Sequence, residues 1–260
     1  MADIPEISYN QGNKMSIYFN PAWSRYAEGH YTLSPNRNFT LFIGEYYTDS
    51  STDSYEILAV IRGNEIVHKK KLSEYSYRAD DDLCYIDDEG GCIYCTEENH
   101  VVFLDPTGKQ KSKKTIPNLS STYGNHSAIV DGYLYALVSN DEENSFLYVL
   151  DLESLKLSHY AVPDYEVEDE AGRINWFTGE YADLYYHDQK ITLAYRDGKT
   201  CITIGFDGTI RDPSSEERAK AFEIQSMRIS AEKREKEIFL NKQPEEKGFL
   251  KKLKNLFHKT

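Results

Sequence analysis

Between Tyr31 and Arg211 the apolar positions come in short runs of β-branched and aromatic residues, interrupted by Gly, Asn and Asp. The runs Phe39–Tyr47, Tyr55–Ile61, Glu65–Lys71, Gly91–Cys95 and Val101–Leu104 predict strands. So do Tyr133–Val138, Phe146–Leu150, Lys190–Tyr195 and Thr200–Phe206. Turn residues separate them, among them Arg62-Gly63-Asn64, Asp88-Glu89-Gly90-Gly91 and Asp105-Pro106-Thr107-Gly108, then Asp131-Gly132, Asp197-Gly198 and Asp207-Gly208. Asp-Gly supplies the left-handed backbone that tight hairpin turns require, so the strands are expected to be antiparallel. No helical apolar period runs through this stretch.

One phrase recurs four times: an apolar strand, a turn holding Gly or Asp, then a polar strand. It appears at Ile57–Asn64, Val101–Gly108, Phe146–Glu153 and Cys201–Gly208, with turn positions 62, 105, 151 and 207 spaced by 43, 46 and 56 residues. Each interval has room for about four strands, and a repeat of roughly 40–50 residues with four strands per unit is that of propeller blades. In period and turn placement, over about residues 31 to 211, the chain resembles a small, divergent β-propeller. The Trp-Asp dipeptide and Gly-Gly pattern of named propeller families are missing. The resemblance implies an all-β domain of about four to five four-stranded blades. The stretches around Ser8 and Met15–Phe19 would complete the ring or add to a fifth blade.

After Asp212 the pattern changes. Ser214 stands three residues before Glu217, the spacing of a capping box, and strong helix formers follow without Gly or Pro to Asn241. A helix is expected over about 214–241, with Ala221, Phe222, Ile224, Met227, Ala231 and Ile238 giving a partial apolar face and Gln243-Pro244 ending it. Beyond Gly248, the positions Phe249, Leu250, Leu253, Leu256 and Phe257 form one stripe of a short amphipathic helix over about 247–258. Two domains are therefore expected, a propeller-like body over 1–212 and a helical extension over 213–260.

Charge sharpens this division. The 260 residues carry 30 Lys+Arg and 43 Asp+Glu, a net −13. The extension holds 12 Lys+Arg against 8 Asp+Glu, a net +4, which leaves −17 on residues 1–212. An acidic body without a basic stripe repels phosphates, so nucleic acid is excluded as a partner. No apolar run approaches the ~20 residues that a spanning helix needs. The opening Met1-Ala2-Asp3-Ile4 lacks the basic and apolar regions of a secretory signal, so a cytoplasmic protein is expected, with Cys84, Cys92, Cys95 and Cys201 as reduced thiols.

Cys92 and Cys95 have the spacing of a zinc half-site, but no second pair follows, and in a strand the two thiols point to opposite faces. They are expected to be buried structural residues. The seven histidines fall at no metal-ligand spacing, and only the Tyr185-Tyr186-His187-Asp188 stretch sets one beside a phenol and a carboxylate, at an expected turn. Nucleophile elbows and phosphate-cradling loops are absent from the sequence. The expectation is a non-enzymatic protein without metal or cofactor.

Acidic clusters and aromatics carry the functional reading. Asp80, Asp81 and Asp82 form one cluster, with Asp87 and Asp88 close behind. Asp164, Glu166, Glu168 and Asp169 form a second, near Trp176 and Phe177. Acidic loops steer a basic partner, and aromatic side chains anchor it. These residues are the expected partner-binding set, and the tail stripe 249/250/253/256/257 the expected membrane or partner helix. In its acidity and lack of motifs the chain resembles bacterial immunity proteins, which implies an inhibitor neutralising a basic toxin or effector. The alternatives are a glycan-acting propeller enzyme with a carboxylate pair in its funnel and a membrane-peripheral adaptor.

Overall fold

The computed structural model describes residues 5–10, 12–19, 25–48, 54–72, 83–119, 126–139, 144–168, 174–179, 182–231 and 233–234. These residues form antiparallel meander sheets of propeller-blade type followed by one α-helix, the all-β class with helical extension that the turn pattern predicts. The chain divides into two compact units, residues 1–165 with 178–180 and residues 166–177 with 181–260. The boundary expected at 212/213 does not coincide with this division, because the helix packs on the last sheet.

In the first unit, β1 (Glu6–Tyr9), β2 (Lys14–Tyr18), β3 (Tyr26–Leu33), β4 (Phe39–Tyr47), β5 (Ser54–Arg62) and β6 (Glu65–Lys71) form a six-stranded sheet in sequence order. The N-terminal strands thus extend this sheet rather than start another. It is followed by β7 (Tyr85–Ile86), β8 (Cys92–Cys95), β9 (His100–Leu104) and β10 (Gln110–Thr115). A third sheet holds β11 (Ser127–Val130), β12 (Tyr133–Ser139), β13 (Ser145–Asp151) and β14 (Leu157–Ala161).

The second sheet is buried on both faces, which explains the unbroken apolar runs of β8 and β9. On one side Cys92, Tyr94, Val102 and Leu104 pack with Leu41, Ile43, Leu58 and Val60 of the first sheet. On the other, Ile93, Cys95, Val101 and Phe103 pack with Leu134, Ala136, Val138 and Leu150 of the third. Cys92 and Cys95 therefore lie on opposite faces, as strand alternation requires.

The first sheet curls. On its far face Met15, Ile17, Ala27, Phe42, Ile57 and Ile61 cluster among the sheet's own side chains, including Ile7 of β1 and Ile66 of β6. Lys69 Nζ of β6 sits 4.3 Å from the ring centroid of Phe19, just past β2. In a flat sheet β2 and β6 would stand roughly 19 Å apart. Gly29 and Gly44, opposite each other in register, permit the close approach, since a Cβ on Gly44 would lie 2.3 Å from the Glu28 carbonyl oxygen.

In the second unit, β15 (Tyr165–Glu168) and β16 (Ile174–Phe177) pair as a two-stranded sheet. The last sheet follows, with β17 (Asp183–His187), β18 (Lys190–Ala194), β19 (Cys201–Gly205) and β20 (Ile210–Arg211). The recurring turns at 62, 105, 151 and 207 all join the penultimate strand of a sheet to its last, and the longer final interval accommodates β15 and β16. Asp105, Asp151 and Asp207 act alike there: each Oδ1 accepts backbone N–H bonds from the turn, from Thr107 and Lys109, from Glu153 and Ser154, and from Thr209. The strands that follow are polar at the sheet edge, and β6 and β10 carry three lysines each, a composition that discourages edge-to-edge pairing.

The helix, α1, runs over 215–231, with 233–234 also helical. Its start is the expected capping box: Ser214 Oγ accepts from the Glu217 N–H at 3.2 Å, and Glu217 Oε2 accepts from the Ser214 N–H at 2.7 Å. The expected helical stretch past 234 and the amphipathic segment 247–258 lie outside the described residues.

Candidate interaction surface

β16 presents the largest exposed apolar side chains of the second unit's strands. Ile174 is 61% exposed and Trp176 65%. Two positions apart in a strand, they share one face, with exposed Asn175 turned the other way. Phe177 beside them is half-buried and Glu166 in β15 is exposed. With well over half of its surface in water, the Trp176 indole and the neighbouring Ile174 form a small exposed apolar patch.

The residues flanking this hairpin in sequence are tied together. Asp164 Oδ1 accepts the Gly179 N–H at 2.9 Å and the Ser145 hydroxyl at 3.3 Å. A Cβ on Gly179 would lie 2.5 Å from Val162 Cγ1, so only glycine fits at this closure. The Asp164 carboxylate is thus engaged within the first unit. Glu168 ends β15, and Asp169 lies outside the described residues.

The other acidic cluster divides. Asp80, Asp81 and Asp82 lie outside the described residues. Asp87 Oδ1 accepts the N–H groups of Glu89 and Gly91 at 2.9 and 2.8 Å within the β7–β8 turn. Asp88 Oδ1 accepts the Asn36 N–H at 2.8 Å and so fastens that turn to the one between β3 and β4. Both carboxylates build turns. The tail positions Phe249, Leu250, Leu253, Leu256 and Phe257 lie outside the described residues.

His187 is the histidine whose surroundings most resemble chemistry. Its Nε2 is 3.0 Å from Thr192 Oγ1 and 3.5 Å from Glu217 Oε1, and its ring stacks on Tyr185 at 4.9 Å. Thr192 in turn bonds Thr203 at 2.8 Å, and both threonines are fully buried, so neither hydroxyl can meet a substrate. Glu217 also pairs with Arg211, which holds its carboxyl down to about 2. Burial keeps the His187 imidazole below its ordinary value, against the opposing pull of Glu217. The cluster fastens α1 to the last sheet.

That fastening corrects the expected helix face. Ala221 packs on Ala194 and Cys201, but the next inward positions are polar. Gln225 Nε2 donates to the carbonyls of Ala194 and Tyr195 at 3.1 and 2.9 Å, and Arg228 forms a two-pronged pair with buried Asp183. Met227, expected inside, is 62% exposed. The reason lies in the sheet: Asp183, Thr192 and Thr203 share the face that α1 covers, and a polar face selects polar partners.

The four thiols are buried. Burial pushes Cys92 and Cys95 up to about 12 and Cys201 to about 11, and raises Cys84 well above its ordinary value. Thiols held protonated in this way are poor nucleophiles. Among the described residues no three His, Cys, Asp or Glu side chains converge on a metal-sized site, and no helix is long and apolar enough to cross a membrane.

No family model matches the chain, and no curated protein matches it. Among solved structures it is similar to puromycin hydrolase, at 12% identity and a TM-score of 0.37 over 76% of this chain and 34% of that one. It is also similar to the WD40 domain of coronin from Toxoplasma gondii, at 13% identity and a TM-score of 0.33 over 81% and 68%. BamB from Moraxella catarrhalis gives 12% identity and a TM-score of 0.29 over 78% and 73%. The chain spans about a third of the length of the puromycin hydrolase. Likenesses this slight carry neither activity nor partner to this chain.

Proposed function

We propose that the chain is a non-enzymatic protein-binding module whose β15–β16 hairpin supplies the anchor for a basic protein partner. The observation that carries the reading is the pair Ile174 and Trp176, both more than 60% exposed on one face of β16. Glu166 stands in the neighbouring strand, and Glu168, Asp169 and Glu170 follow in sequence. An apolar anchor beside carboxylates is the arrangement in which charge speeds encounter and the aromatic group slows release. The net −13 of the chain favours a cationic partner, and an inhibitor that covers a basic toxin or effector is the concrete form of the proposal.

The test replaces both anchors, Ile174→Ser with Trp176→Ser, and measures capture of protein from the source cells. An anchor of this size is worth about 2–4 kcal/mol, so retention of a stoichiometric basic partner should fall by at least tenfold. Capture unchanged by the double substitution would dismiss the hairpin as the anchor.

A further inference from the structure

α1 turns two different faces outward and inward. Ala221, Gln225 and Arg228 meet the last sheet. A helix turns about 100° per residue, so Glu223, Ser226, Met227, Ser230, Ala231 and Arg234 form one stripe on its far side. These six residues line a shallow groove of about 540 Å³. Met227 in its middle is 62% exposed, and Ser226, Ser230 and Ala231 around it are exposed and small. A methionine among small residues is a soft seat for apolar side chains, and the small neighbours let a second helix come close.

The chain itself carries a fitting occupant. Residues 235–260, which follow α1, include the stripe Phe249, Leu250, Leu253, Leu256 and Phe257. Groove and stripe belong to the same compact unit. The length of chain between them suffices. With the helix continued to Asn241, as the sequence predicts, Met227 lies 14 positions, about 21 Å, back along the axis. Residues 242–248 span up to about 24 Å when extended, and Pro244 and Gly248 fall among them.

Charge selects both the occupant and its direction. Residues 244–260 hold five lysines against two glutamates, a net +3, whereas residues 1–212 carry −17, so the tail is drawn to its own chain. Running back along α1, it sets Glu245 and Glu246 at the Arg234 end of the groove and Lys252 and Lys254 toward Glu223. A tethered segment also has an effective concentration of about millimolar, which populates even a weak apolar contact. We propose that residues 249–257 fold back on α1 and seat their apolar stripe in this groove, an intrachain contact separate from the β15–β16 hairpin.

The test follows oxidation of Met227 to its sulfoxide by hydrogen peroxide, read by mass spectrometry of the tryptic peptide 221–228. In the full chain Met227 should react at least about fivefold more slowly than added N-acetylmethionine. Leu253→Ser with Leu256→Ser should remove most of that protection, while Asn255→Ser, off the stripe, should change the rate less than about twofold. Met15, 1% exposed, should stay slow throughout and exposes any variant that fails to fold. Ile174→Ser with Trp176→Ser should leave the Met227 rate unchanged, so either proposal can fail without the other. Met227 as reactive as N-acetylmethionine in the unsubstituted chain would overturn the assignment without recourse to any variant, as would equal protection in a folded Leu253→Ser, Leu256→Ser chain. Protection lost on about hundredfold dilution would assign the groove to a second copy instead, and protection found only with phosphatidylserine vesicles would assign the segment to a membrane; either overturns the intrachain contact.

Discussion

Gly108 and His68 show how closely single side chains are fitted. Gly108 has φ +77 in the β9–β10 turn, and a Cβ there would fall 2.0 Å from the His68 ring. Gly108→Ala should therefore cost about 2 kcal/mol or more, from left-handed backbone and overpacking together, read as a lower midpoint in urea. Gly63, with φ +60 and open space around it, is the control and should lose only the backbone share. The thiols give a second prediction at this scale. With all four raised by burial, none should react with Ellman's reagent at pH 8 in the folded protein within minutes, and four per chain should react in denaturant. A fast-reacting thiol in the folded state would contradict the packing described. The opposite-facing Cys92 and Cys95 were legible in the sequence, because alternation is a local property of a strand. The engagement of Asp87 and Asp88 in turn bonding was not, since a free and a turn-building aspartate look the same in a sequence.

Elements were legible where their chemistry is local. The Asp and Gly turns and the capping box at Ser214 involve residues two to four positions apart, and the strands they bound appear where expected, β4 and β6 with the same ends. The helix face was not legible, because it depends on the polar sheet face it meets. Its energetics can be tested there. Gln225→Leu leaves the Ala194 carbonyl without this donor and should cost about 1–3 kcal/mol. Arg228→Ala strands the buried Asp183 carboxylate and should cost about 3–5 kcal/mol, most of it recovered by adding Asp183→Asn. If Arg228→Ala is neutral in urea melts, the helix is not held as described. β16 was missed as a strand, although Ile174 and Trp176 flanking Asn175 carry its alternation, because four residues give too short a pattern.

For the molecule as a whole, acid should destabilise the fold in two stages. His68 and His187 are held below their ordinary value mainly by burial, so the unfolded chain takes up their protons first and stability declines as pH falls below about 6.5. Asp105, Asp151 and Asp207 are lowered by their turn bonds, Asp197 against an opposing push from burial by its bonds to Thr200 and Lys199, and Glu217 to about 2 by Arg211 and Ser214. Their contribution is complete above the unfolded values near 4 and is lost as pH falls through the lower folded values. The melting temperature should thus drop gently below about pH 6.5 and steeply below about 4.5, and a rise toward pH 4 would refute this. The blade period and the acid–base asymmetry were visible from composition and spacing alone, whereas which acidic residues face outward required the fold. The central claim is that the exposed pair on β16 anchors a basic partner. The most direct measurement is side-by-side capture from source-cell lysate by the unsubstituted chain and by its Ile174→Ser, Trp176→Ser variant, each washed at low and high salt. The account predicts one stoichiometric basic protein on the unsubstituted chain, released as salt rises and lost from the variant. The same protein retained equally by both chains, or no protein on either, would contradict it.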